Sequence, residues 1–253
     1  MTPSFFGPEG EQLLGIHHPA RGASKSHGVV LCPPAPQERA RSHWAFRKLA
    51  EQLAKAGFDV LRFDLRGTGD SNGELEDTTP QQWVEDVKRA VKELKDITGH
   101  RKLSVVGFRL GALLSAQAAS DGLALDTLVL WEPVVSVANW IARVQQLEEE
   151  VHRRELHFPP PFDPSDVYGF RLPPALLEAW RALDFAWISP WKARTEIVVA
   201  EDNAHFARLH RTWEKSGQSA TWHHVGGPAS GATGALLGNE ALDRIVALLG
   251  ERR

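Results

Sequence analysis

An α/β protein with a mainly parallel central sheet and helices on both faces is the fold class this sequence predicts. Three observations carry the prediction. Short apolar runs recur at residues 28–32, 59–65, 103–106, 126–131 and 195–200. Stretches with helical period separate them. Glycine- or proline-rich loops close the runs at their C-terminal ends. In such sheets the crossovers are right-handed, and sites gather at the C-terminal strand ends.

The first 27 residues read as a β-ribbon, with 4–6 and 12–18 paired across the turn Gly7-Pro8-Glu9-Gly10. The buried strand 28–32 ends in Pro33-Pro34-Ala35-Pro36, read as loop. Ser42 is then expected to cap a helix to about Ala56, with Phe46, Leu49 and Leu53 on one face and Gly57 as its stop. After strand 59–65 comes Arg66-Gly-Thr-Gly-Asp-Ser-Asn-Gly73. It lacks the Lys-Ser/Thr ending of a phosphate loop and the spacing of a dinucleotide fingerprint. It reads as a tight loop with internal Asp and Ser hydrogen bonds. Thr79-Pro80 opens a helix to about Asp96, with Trp83, Val87, Ala90, Val91 and Leu94 as its apolar stripe and an expected i,i+4 ion pair from Glu85 to Arg89.

Residues 136–190 break the alternation. A charged helical segment at 140–156, a proline-rich linker at 158–164 and a short helix at 174–183 read as an insertion, not as a separate domain. Strand 195–200, helix 204–213, strand 220–225, a glycine-rich loop at 226–238 and helix 239–249 complete the chain. The organisation is therefore a core sheet in two parts, 1–135 and 191–253, interrupted at 136–190.

The composition narrows the function classes. A chain of 253 residues, 42% hydrophobic, can bury a sizeable core. A formal charge of −3 and the lack of a basic stripe or recognition motif argue against nucleic acid. The start of the chain lacks the basic and apolar regions of a signal peptide, and no apolar run is long enough for a bilayer. The single Cys32 excludes an internal disulfide framework. These features lead to the expectation of a cytoplasmic protein without metal or cofactor, with room for a homodimer.

Chemistry concentrates at Ser104-Val-Val-Gly-Phe-Arg-Leu-Gly-Ala-Leu-Leu-Ser115. It reads as a strand, a tight turn bracketed by Gly107 and Gly111, and an Ala/Leu-rich helix. That is a nucleophile elbow of the pattern Gly-x-Ser-x-Gly, but with Arg109 where the nucleophile belongs. Together with the run from Leu61 to Gly73 and the insertion at the usual place of a cap, it resembles the α/β-hydrolase superfamily. More closely it is similar to the serine-aminopeptidase-like branch and, within it, to exosortase-associated hydrolase-type proteins. These can also carry Arg in the elbow and Trp-x-Pro-Val-Val after the next strand, here Trp131-Glu-Pro-Val-Val135. The resemblance implies an α/β-hydrolase fold with a helical cap at 136–190.

It also implies a list of parts to check. Arg109 cannot attack a carbonyl, since its guanidinium stays protonated. No His lies in 226–234, the loop that usually holds the base; His223 and His224 come just before it, inside the strand. Asp202 follows the strand that usually delivers the acid, and Glu132 ends the strand after the elbow. Without a His to orient, neither is expected to have a triad role. Pro33, Pro34 and Pro36 have no N–H for an oxyanion, although Ala35 does. Cys32, at the site's edge, is an alternative nucleophile without a visible partner; Ser71 and Ser115 are weaker ones. Arg109 has two open readings: an internal ion pair with Glu132, or an anion receptor formed with the helix N-terminus.

The expected function is that of a hydrolase-fold protein with a degraded triad. It would bind a small acidic or acyl ligand, or a partner protein, through Arg109, Glu132, Phe108, Leu110 and Ala35. The alternatives are a hydrolase or acyltransferase with an unorthodox site drawn from Cys32, Asp202, His223 and His224, and a structural subunit without ligand.

Overall fold

The computed structural model describes residues 1–155, 163, 165–167, 170–226 and 238–251. Its strands are β1 (Thr2–Phe6), β2 (Leu13–His18), β3 (His27–Cys32), β4 (Asp59–Phe63), β5 (Lys102–Phe108), β6 (Thr127–Trp131), β7 (Asp166–Val167), β8 (Phe170–Arg171), β9 (Arg194–Val199) and β10 (Thr221–His224). The α-helices are α1 (Pro36–Lys55), α2 (Pro80–Thr98), α3 (Leu110–Ser120), α4 (Val137–Glu155), α5 (Pro174–Arg181), α6 (Ala204–Ser216) and α7 (Asn239–Gly250).

Eight strands form one sheet in the order β1-β2-β4-β3-β5-β6-β9-β10. The β1–β2 and β2–β4 pairs are antiparallel and the others parallel. Strands buried on both faces read as continuous apolar runs, which is why β3, β5 and β6 were visible in the sequence. On one face Leu49 and Leu53 of α1, with Ile245 and Leu248 of α7, pack on Val29, Val106 and Val198. On the other, α2, α3 and α6 cover Val30, Val105, Leu128 and Ile197. Between β6 and β9, Trp180 of α5 is fully buried with its ring 5.0 Å from Trp83 of α2 and 6.3 Å from Trp140 of α4.

Several expectations need correction. Helix α1 starts at Pro36 with Ala35 as its N-cap, and Ser42 lies inside it, donating to the Arg39 carbonyl at 3.2 Å. A proline suits a first helical position, because its fixed φ is helical and the N–H it lacks would be unpaired there; the run read as loop is thus the helix start. Glu85 pairs with Lys88 at 2.7 Å, while Arg89 reaches Glu11 beside the β1–β2 turn at 2.8 Å. The short β7–β8 hairpin has two residues per strand, too few for a periodic signal. The proline-rich linker, 158–162 and 164 in particular, and most of the glycine-rich loop lie outside the described residues. Among those described, no helix is long and apolar enough to cross a membrane, and no group of three or more His, Cys, Asp or Glu is placed to hold a metal.

Candidate functional site

The elbow is built by close backbone approach. A Cβ on Gly107 would lie 2.6 Å from Ala112 Cα, and one on Gly111 would run into the Pro33 carbonyl. Only glycine allows β5 to turn this sharply into α3 while the β3–α1 connection passes alongside. Between them Arg109 has φ +55 and ψ −116. A non-glycine residue in this region is strained and persists only where its surroundings hold it. Here they do: the Arg109 N–H donates to the Trp131 carbonyl at 3.0 Å, and its own carbonyl accepts from Ala112 and Val134 at 3.2 and 3.3 Å.

Arg109 caps a helix N-terminus, where the dipole opposes a cation. The compensating charge is Glu38, whose Oε1 accepts from Arg109 Nε at 3.1 Å. This corrects the expected pairing with Glu132. Glu38 sits in the first turn of α1, which enters directly after the β3 end beside the elbow. Glu132 is itself at φ +45, and its Oε1 accepts from the Ala200 N–H at 2.5 Å, turning toward β9 and away from Arg109. The pair is partly wet, the Arg109 and Glu38 side chains being 18% and 23% exposed. Beside it, Glu38 Oε2 and both amide atoms of Gln37 are sealed from solvent without a hydrogen-bond partner among the described residues. Buried polar groups without partners are uncommon and call for an explanation. Sequence reasoning missed Gln37 and Glu38. The sequence signal for them was Pro36 opening a helix with an acidic residue in its first turn.

The other candidates are distributed as follows. Phe108 is buried against Trp131 (4.5 Å between rings) and Phe46, on the α1/α7 face of the sheet. Leu110 and Ala35 belong to the core of the opposite face. The Leu110 N–H, first in α3, has no intrahelical acceptor by geometry. Cys32 is fully buried, and burial pushes its thiol up to about 12, so it carries no thiolate at neutral pH. Ser115 donates to the Gly111 carbonyl at 2.6 Å. Ser71 donates to the Asp64 carbonyl at 2.7 Å and accepts from the Leu14 N–H, fastening the 66–73 loop to β2.

At the far side of the sheet, β10 alternates as strands do. His223 faces α7, its Nε2 2.7 Å from buried Glu196 and its Nδ1 2.8 Å from Arg244. His224 Nε2 meets Asp202 Oδ1 at 2.9 Å, both side chains well exposed. Asp202 thus has a histidine beside it, which local pattern did not suggest, but both side chains are too exposed for the contact to hold the ring in one place. The register runs Phe108, Trp131, Val198, His223 across neighbouring strands. Three strand spacings put the β10 end roughly 14 Å from the elbow, while Arg109 reaches the opposite way, to α1.

A family model described as serine aminopeptidase, S33, matches residues 38–202, most of the chain. The chain belongs to that family. Solved structures with the same fold include an alpha-beta serine hydrolase homologue from Coxiella burnetii (17% identity, TM-score 0.62, covering 98% of this chain and 95% of that one). A proline iminopeptidase from Mycobacterium smegmatis matches at 15% identity and TM-score 0.66, covering 98% and 96%. Est1E from Butyrivibrio proteoclasticus, with ferulic acid bound, matches at 14% and 0.64, also covering 98% and 96%. The family match covers both the elbow and the Arg66–Gly73 loop, and the structural likeness extends over nearly the whole chain. Arg109 thus occupies the elbow of a serine-aminopeptidase family member.

Proposed function

We propose that this chain is a non-catalytic member of its family, a pseudo-hydrolase that holds a small acidic or acyl ligand, or a short segment of a partner protein, at the elbow. The observation that carries this reading is Arg109 at the strained turn, ion-paired with Glu38. A permanently protonated guanidinium is no nucleophile. The Arg109 guanidinium, on a side chain 18% exposed, offers donors to a ligand carbonyl or carboxylate. The test is labelling by a fluorophosphonate probe together with turnover of a panel of short-chain esters, for the wild type and Arg109→Ser. Neither protein should be labelled or turn over ester above the uncatalysed rate, because the new hydroxyl has no base within reach. Stoichiometric serine labelling of the wild type would overturn the reading.

The His224–Asp202 pair favours a second reading, a hydrolase whose base sits at the β10 end. In that case the wild type turns over ester and His224→Ala abolishes the turnover with the fold intact.

A further inference from the structure

Away from the elbow, a cavity of about 110 Å³ opens between α1 and the β2–β4 end of the sheet. A single water needs roughly 10–15 Å³ by the same kind of measure, so the space takes a small molecule. Its floor is Arg62, a β4 residue only 8% exposed. Arg62 Nε donates to His18 Nε2 at 3.1 Å, so this histidine acts as a neutral acceptor and brings no charge. No carboxylate among the described residues pairs with Arg62. The nearest acid, Asp64, is already held by Arg39 through three contacts of 2.6–2.9 Å and by the Asp70 N–H at 3.3 Å. The terminal nitrogens of Arg62 make no hydrogen bond to described residues, and neither is sealed from solvent. A buried, uncompensated guanidinium is costly, and burial here acts on its charge more strongly than the field of Asp64 does.

We propose that this cavity is a receptor for a short apolar monocarboxylate, with Arg62 as its cation. A carboxylate matches the guanidinium fork and satisfies its two open nitrogens together. Leu14, Ile16, Pro34 and Phe46 supply apolar walls for a short tail. In number the lining acids Asp64 and Asp70 balance Arg39 and Arg62, but Asp70 stands at the exposed rim and does not pair with Arg62, so a monoanion fits the open fork and a dianion is repelled. Neither Arg109 nor Glu38 lines the cavity, although Pro33, whose carbonyl lies against Gly111 of the elbow, does.

The test is a thermal-shift titration with sodium propionate at constant ionic strength, on wild type, on Arg109→Met, and on Arg109→Met combined with Arg62→Met or with His43→Trp. His43 is an exposed residue at the cavity wall, so a tryptophan there blocks the space without touching the core. Arg109→Met, which lacks the elbow cation, should show a saturable rise of roughly 3–6 °C at ten times Kd, while its combinations with Arg62→Met and with His43→Trp stay flat. If the combination with Arg62→Met does not fold, the one with His43→Trp decides. The proposal fails if the wild type shows no saturable rise, if the rise of Arg109→Met survives in either combined variant, or if sodium phosphate matches propionate. A rise lost in Arg109→Met would move the ligand to the elbow and defeat this site while leaving the elbow reading standing.

Discussion

Arg109 and Glu38 form an ion pair across two segments far apart in the chain, with Arg109 Nε 3.1 Å from Glu38 Oε1. Removing one partner leaves the other as a partly buried orphan. Breaking a fully buried pair costs about 3–5 kcal/mol. With these side chains 18% and 23% exposed, Arg109→Met and Glu38→Gln should each cost less, about 1–2 kcal/mol. The double variant should lose clearly less than the sum. Arg109→Met and Glu132→Gln, by contrast, should simply add, as Glu132 serves the Ala200 N–H. Urea unfolding of the singles and doubles measures both couplings. At the same scale, His18 makes stability depend on pH. Its folded pKa is about 4, against an ordinary 6.5, chiefly because burial disfavours the charged ring. Arg62, the N-terminal ammonium and His17 push the same way, and Glu51 opposes them. The unfolded chain takes up this proton as pH falls below 6.5, and the folded chain only near 4. His18 therefore contributes fully above pH 6.5, and the contribution drains away as pH falls toward 4. His18→Gln, which keeps an acceptor for Arg62, should show a smaller fall in Tm between pH 7.5 and 4.5 than the wild type.

Among the elements, α2 shows how directly sequence chemistry can set a boundary. Thr79 accepts from the Gln82 N–H at 3.2 Å while Gln82 Oε1 accepts from the Thr79 N–H at 2.8 Å, and Pro80 opens the first turn. Thr79→Ala should cost about 1 kcal/mol, a Tm loss of roughly 2–4 °C in a domain of this size, with Gln82→Ala giving a similar, non-additive loss. This helix was legible in the sequence because its signal is local, and so was the elbow, whose two glycines and apolar flanks stand within a dozen residues. The start of α1 was misread because a proline run serves equally as a loop or as a first helical turn. The partners of Arg109, Arg89 and His224 were illegible for a different reason. Each lies on another element, and which elements meet at a strand end depends on crossovers that local pattern does not encode. Neighbouring strands alone made Glu132 the natural guess, but the backbone at Glu132, in the left-handed region, turns its carboxylate the other way.

At the scale of the molecule, the sheet joins one core against α1 and α7 to another against α2, α3, α4, α5 and α6. Cys32, the only thiol in the chain, stands where these meet, at the end of β3 with β4 and β5 on either side, fully buried and hydrogen-bonded only weakly to the Pro33 carbonyl. A disulfide-exchange reagent should reach it only when the centre of the sheet parts, and fraying of the outer strands β1 or β10 should not expose it. The chain thus carries a built-in clock for global opening. Under native conditions at high reagent concentration, the labelling rate should become independent of reagent and equal the unfolding rate found by extrapolation from urea. Labelling much faster than that would reveal a sub-global breach between β3 and its neighbours. Because no second thiol competes for the reagent, every variant named above can be timed the same way, which separates those that speed opening from those that only slow refolding.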